Sequence, residues 1–181
     1  MTTTITTPAI AAGTYTIDPA RSRVAFAIKE MYGLLTVRGT IALRDGTIVV
    51  ADQPAGASVR VRLDPGSIAT GNKRRDRDVT GKNFVDAATY PDMAFAGTGV
   101  VRDADGWTLT GDLTVHGTTA PVTLRLHDGR PSQGGYAFTA TAVVDRTEFG
   151  VSRAVGFIGR TLDVTIEVVA TSGVEGLVPL A

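Results

Sequence analysis

SIATGNKRRDRDVTGKNFVDAATYPDMAF, Ser67 to Phe95, is the one long interruption in a chain that otherwise reads strand, turn, strand. Gly71-Asn72 makes a turn, and Asn72 is a good helix N-cap. A dense charge run, Lys73 to Asp78, follows, and Gly81 stops it. Roughly nine residues between cap and stop are too few for a helix that stands alone in water. Asn83 to Ala87 forms a second short piece, and Tyr90-Pro91 breaks it and launches a new strand. The stretch predicts a short helical insertion, about 72–88, lying across one end of a sheet that has curled on itself.

Outward from it the pattern is alternation. Upstream, Val24, Phe26 and Ile28 form one run, Leu35, Val37, Ile41 and Leu43 a second, and Ala57, Val59, Val61 and Leu63 a third. Downstream, Met93 and Phe95 lead to Gly97 and Gly99 on the same face. Trp107, Leu109, Leu113 and Val115 follow, then Val122, Leu124 and Leu126. Tyr136, Phe138, Ala140, Ala142 and Val144 make another run, and Leu162, Val164, Ile166 and Val168 the last. A period of two means one buried face and one wet face. Eight such runs are joined by turns, among them Arg44-Asp45-Gly46, Asp103 to Gly106 and a long one from His127 to Gly135. No amphipathic helix is long enough to cover the apolar face. The sheet must close as a barrel or fold over as a sandwich, and the pattern alone leaves both open.

Bulk properties bound the function. The 181 residues fit one domain, and 18 basic and 18 acidic side chains cancel. A nucleic-acid binder would carry a basic excess. No apolar run is long enough to predict a transmembrane helix. Met1 to Ala12 is threonine-rich without a long apolar block, so it reads as a flexible arm rather than a secretory signal, and the chain as cytoplasmic. Residues 13–170 read as the barrel or sandwich domain, opening with a short strand Gly13 to Ile17, and 171–181 as a tail. With no cysteine, disulfides and thiolate metal sites are excluded.

Four pieces in order carry a resemblance. Ser67-Ile68, Thr70-Gly71-Asn72, Arg75-Asp76, Phe84, Asp86, Tyr90-Pro91 and Phe95 form the first. Gly111 to Gly117, Pro121 to Leu124 and Asp145 to Gly150 are the others. Together they resemble the YceI-like family, lipocalin-like polyisoprenoid-binding barrels, over about Tyr15 to Val169. The resemblance implies an all-β fold: an antiparallel, lipocalin-like barrel of about eight strands. One departure stands out. The family usually has His-Leu shortly after Arg-Asp, where this chain has Asp78-Val79. A headgroup contact through that histidine would be lost or changed here.

A barrel of about eight strands is either filled by its own side chains or holds one small ligand. The candidate lumen is Phe26, Ile28, Val37, Ile41, Val59, Val61, Met93, Phe95, Leu109, Leu113, Val115, Leu124, Phe138, Val164 and Ile166, with Val24, Leu35 and Ala140 beside them. Gly39, Gly97, Gly99 and Gly111 fall on the same face and predict spare volume, since glycine in a strand marks a bend or a close approach. The expectation is a cavity for a polyisoprenoid or quinone-like chain, bound for carriage, storage or sequestration, with no resident cofactor and no chemistry. An enzyme acting on such a lipid, or a ligand-free structural barrel, are the alternatives. A homodimer is compatible with the sequence.

Asn72, Arg75, Asp76, Phe84, Phe149 and Phe157 are the candidate mouth. The charge run could clamp a headgroup, or be a solvated turn with Arg74 and Asp78 paired. Asp112 and His116 share an outer strand face, but no nucleophile accompanies them, and one histidine with one carboxylate is a thin metal site. His116-Gly117 reads as a strand-end turn. The glycine-rich stretch Phe149 to Gly159 lacks the lysine of a phosphate loop and reads as a mobile flap or a plain long hairpin loop.

Overall fold

The computed structural model describes residues 10–173. Most of the arm and tail drawn from the sequence lies outside the described residues. Among the described residues there are nine strands: β1 (Gly13–Ile17), β2 (Arg23–Glu30), β3 (Leu35–Val50), β4 (Ser58–Ala69), β5 (Met93–Asp103), β6 (Gly106–Val115), β7 (Thr118–Ser132), β8 (Gly135–Asp145) and β9 (Ile158–Ser172). From β2 to β9 each strand pairs antiparallel with the next, and β9 returns to β2. β1 pairs with the second half of β3 and the last residues of β9, so it extends the stave that β2 begins. The sheet is a closed eight-stave barrel, and closure removes the open edges that a sheet this size would otherwise expose.

Three sequence expectations are corrected. Arg44-Asp45-Gly46 is not a turn: β3 runs straight through, with a register shift between Leu43 and Asp45. β4 continues past Asp64 through Pro65 and Gly66 to Ala69. His127 to Gly135 is not a long turn either, because β7 reaches Ser132 with a shift between Leu126 and Asp128. Turn-forming residues also serve β-bulges, and bulges let long strands bend around a barrel. Charge fastens one of these bends from outside, with Arg44 on Asp64 (3.1 Å) and Asp92 (3.0 Å), and Arg62 on Asp45.

The Ser67 to Phe95 stretch lies across one end, as expected of a segment too short to stand alone. Its helix, α1, spans Lys73–Thr80. Asn72 Oδ1 accepts from the Arg74 and Arg75 N–H groups at 3.0 and 3.1 Å, which is the N-cap read from the sequence. Gly81 ends the helix in an extended conformation, not the left-handed one. Asp76 Oδ1 accepts from the Thr70 N–H (2.8 Å) and hydroxyl (2.7 Å) and so ties α1 to the end of β4. Val85, beyond the helix, is buried in the core cluster. The turns β2–β3 and β6–β7 and the β8–β9 loop share this end. At β6–β7, His116 and Gly117 both have positive φ (52° and 71°), the geometry of a tight two-residue hairpin.

Candidate lumen site

The barrel encloses a cavity of about 940 Å³. That is the upper end of the roughly 300–1,000 Å³ common for small-molecule sites. All fifteen lumen side chains singled out above line it, and so do Val24 and Ala140. Leu35 does not; it sits at the strand start, 51% exposed. The walls between the ends are almost wholly aliphatic and aromatic because each strand's period-two pattern turns its apolar set inward. Polar groups lie at the ends. Glu30, Thr70, Arg75 and Arg146 stand at the α1 end, and Ser58, His127, Asp128 and Thr139 at the other.

The glycines do not supply the room. A side chain added at Gly39 would collide with the Phe26 ring, which faces it across β2 and β3. At Gly97 a Cβ would lie 3.1 Å from Phe95 Cζ, and at Gly111 2.6 Å from the same atom. Gly97 and Gly111 are cross-strand partners. These positions leave space for the rings of Phe26 and Phe95, not for a guest. Gly99 serves the backbone instead: its φ of +79° falls in the register shift between Gly97 and Val100.

At the mouth, Arg75, Phe84 and Phe149 line the cavity. Arg75 lies 3.7 Å from Glu30, whose side chain is only 15% exposed. Asn72 borders a smaller hollow of about 250 Å³ beside Arg74, Arg75 and Asp78. Asp76 faces Thr70 and lines neither space. Phe157 stands outside, 47% exposed, edge-on to Tyr32 at 6.0 Å. Arg74 and Asp78 form no ion pair among the described residues.

Two residues at the ends had no role in the sequence reading. Arg146, 7% exposed, donates to four backbone carbonyls: Nε to Gly159 (2.7 Å), Nη1 to Val151 (2.7 Å) and Arg153 (3.0 Å), and Nη2 to Ile158 (3.0 Å). Burial pushes its guanidinium below the usual value, and the nearby Asp145 carboxylate opposes the shift; arginine keeps its charge regardless. The β8–β9 loop is therefore stapled from within. Asp145 is itself held below the usual carboxylate range by the Thr147 hydroxyl and N–H and by Arg160. At the opposite end, Ile10 packs where a side chain at Gly129 would sit. Tyr136 Oη accepts from the Ala11 N–H (3.2 Å), and Tyr15 donates to the Ala11 carbonyl (2.7 Å). Arg146 stood inside a quoted motif, but nothing in a glycine-rich loop announces that its carbonyls need a donor. Ile10 lay in a segment without periodicity.

His116 packs edge-on against Tyr90 (4.8 Å between centroids) at the strand-end turn. Among the described residues no group of three or more His, Asp or Glu side chains is placed to hold a metal. No helix among them is long and apolar enough to cross a membrane.

Geometry and fold together define a closed antiparallel barrel with an apolar interior and a short helix lying across one end. The YceI-like domain model matches residues 15–170, and the chain belongs to that family. It is similar to the UPF0312 protein of Pseudomonas savastanoi pv. phaseolicola, 32% identical over 164 residues that cover 86% of this chain and 84% of that one. A UPF0312 protein of Yersinia pestis is 29% identical over 151 residues, covering 80% and 78%. Among solved structures, Burkholderia cenocepacia BcnA superposes with a TM-score of 0.70 at 25% identity, covering 86% of this chain and 99% of BcnA. A polyisoprenoid-binding domain from Saccharophagus degradans, implicated in plant cell wall breakdown, superposes at 0.66 with 14% identity, covering 87% and 98%. At that identity the second likeness speaks for the fold.

Proposed function

We propose that the barrel binds one long apolar molecule, a polyisoprenoid or quinone-like chain, for carriage, storage or sequestration. The observation that carries this reading is the lumen of about 940 Å³ with its aliphatic and aromatic wall. Apolar burial is worth about 0.8 kcal/mol per CH₂, so a five-carbon unit brings about 4 kcal/mol before ordering costs. Several units bind without a polar anchor, and the wall selects for length and branching rather than for a functional group. The Saccharophagus degradans domain, described as polyisoprenoid-binding, has the same fold and supports the choice of ligand class. The polar side chains sit at the two ends of the lumen and leave its middle without a reactive pair, which favours binding over catalysis. The test is mass spectrometry of an organic extract of the purified protein. A stoichiometric chain-like lipid is expected. An empty extract, with no uptake of added geranylgeraniol, would refute the reading.

A further inference from the structure

Nine large apolar side chains are exposed among the described residues, and six of them cluster at one place. Met31 (40%), Tyr32 (81%) and Leu34 (81%) come from the β2–β3 turn, Leu35 (51%) from the start of β3, and Val155 (49%) and Phe157 (47%) from the β8–β9 loop. The two segments touch through the Tyr32 and Phe157 rings and through the Glu30–Ile158 pairing. Both neighbours of the cluster, Glu30 and Ile158, line the lumen. The cluster is therefore the outer lip of the α1 end.

The backbone holds these side chains out at a cost. Met31 and Tyr32 have φ of 50° and 57°. Bulky residues rarely adopt that conformation, and such outliers concentrate at functional sites. Positive φ is ordinarily left to glycine, asparagine or aspartate, so the large apolar pair is not what the backbone itself requires.

We propose that this lip docks on a lipid bilayer, where the barrel takes up or delivers its ligand. The occupant follows from the lumen behind it, and so the inference rests on the function proposed above. A long apolar chain resides in membranes, and a greasy lip whose immediate neighbours Glu30 and Ile158 line the lumen gives it a route that avoids crossing water. A tyrosine with its phenol at the edge of an apolar patch suits the headgroup level of a bilayer. The exposed charges on the two segments and the strand ends that flank them, Lys29, Arg153 and Arg160 against Glu148, sum to two positive, so attraction is chiefly apolar with a preference for anionic lipid.

The experiment uses the full chain and a Tyr32→Ser/Leu34→Ser/Phe157→Ser variant. A Val101→Ser/Val143→Ser variant, which removes exposed apolar groups elsewhere, is the control. Flotation is measured with phosphatidylcholine vesicles, with and without phosphatidylglycerol. Tritiated geranylgeraniol is supplied from those vesicles or from cyclodextrin. The lip variant should take the alcohol from cyclodextrin like the parent, lose flotation, and extract from vesicles at least about tenfold more slowly. The control should match the parent. If the triple change unfolds the protein, Leu34→Ser alone keeps the test. A parent that does not float, or a lip variant that floats and extracts like it, overturns docking. So does a parent dimer, seen by sedimentation, that the lip changes dissolve. Failure of uptake from cyclodextrin in every form would refute the lumen reading instead, and flotation would still decide docking.

Discussion

Gly97 and Gly111 face each other across β5 and β6, yet alanine should be tolerated at one and not at the other. At Gly97 the new methyl would meet only side-chain atoms, Phe95 Cζ at 3.1 Å and Leu109 Cγ at 3.2 Å. A ring and an isobutyl group can yield a few tenths of an ångström. At Gly111 it would meet the Ala96 carbonyl oxygen, Gly97 Cα and Phe95 Cζ, all at 2.6 Å. Two of those atoms are backbone held in a ladder. Overpacking costs about 1–3 kcal/mol, so Gly97→Ala should sit near 1 and Gly111→Ala near 3. At about 2–4 °C per kcal/mol for a chain this size, Tm should fall by about 2–4 °C and about 6–12 °C respectively. Denaturant melts give the free energies, and a cycle with Phe95→Leu separates the causes. Shrinking the ring should recover most of the Gly97→Ala loss and only part of the Gly111→Ala loss. Equal losses at the two positions, or full recovery at Gly111, would refute the packing described for the Phe95 ring.

Ala140 and Ala142 line the lumen, so Ala140→Leu should cost under about 1 kcal/mol of stability while reducing geranylgeraniol uptake measured from cyclodextrin. Asp76→Ala removes the acceptor for two Thr70 donors and should destabilise by about 1.5–3 kcal/mol in denaturant melts, with the ligand affinity of the folded fraction unchanged. Arg146→Met leaves four carbonyls without their donor and should cost about 3–5 kcal/mol, with new tryptic cleavage at Arg153; Arg146→Lys should not restore it, because an ammonium cannot span four acceptors. Asp18, Asp45, Asp103 and Asp145 all titrate below their ordinary 3.8 in the folded chain. Their contribution is complete above that value and is lost as pH falls through the depressed ones, so melts should be flat from neutrality to about pH 5 and decline below about pH 4.

The lumen was legible because it depends on a local rule. In a strand, inward-facing residues recur every second position, and Phe26, Val59 or Leu124 can be assigned to the wall without knowing its neighbours. The helix was legible for the same reason, since Asn72 acts on N–H groups two and three residues away. What could not be read depends on distant partners. Asp45-Gly46 looks like a turn until Arg62 and the curvature of the barrel are known. Gly111 looks like spare volume until Phe95, on the neighbouring strand, is placed over it. Ile10 had no pattern at all; its role comes from meeting Gly129, more than a hundred residues later.

Arg146 grips the β8–β9 loop by four carbonyl oxygens and by no side chain. Every residue type carries that oxygen. The clamp therefore fixes the path of the loop while staying indifferent to what the loop displays. Val155 and Phe157 can be exchanged for polar, charged or larger groups with the main chain still held at the same points. This makes the segment an interchangeable tip on a permanent mount: a part of the barrel open to re-targeting, by evolution or by design, has its backbone anchored from within.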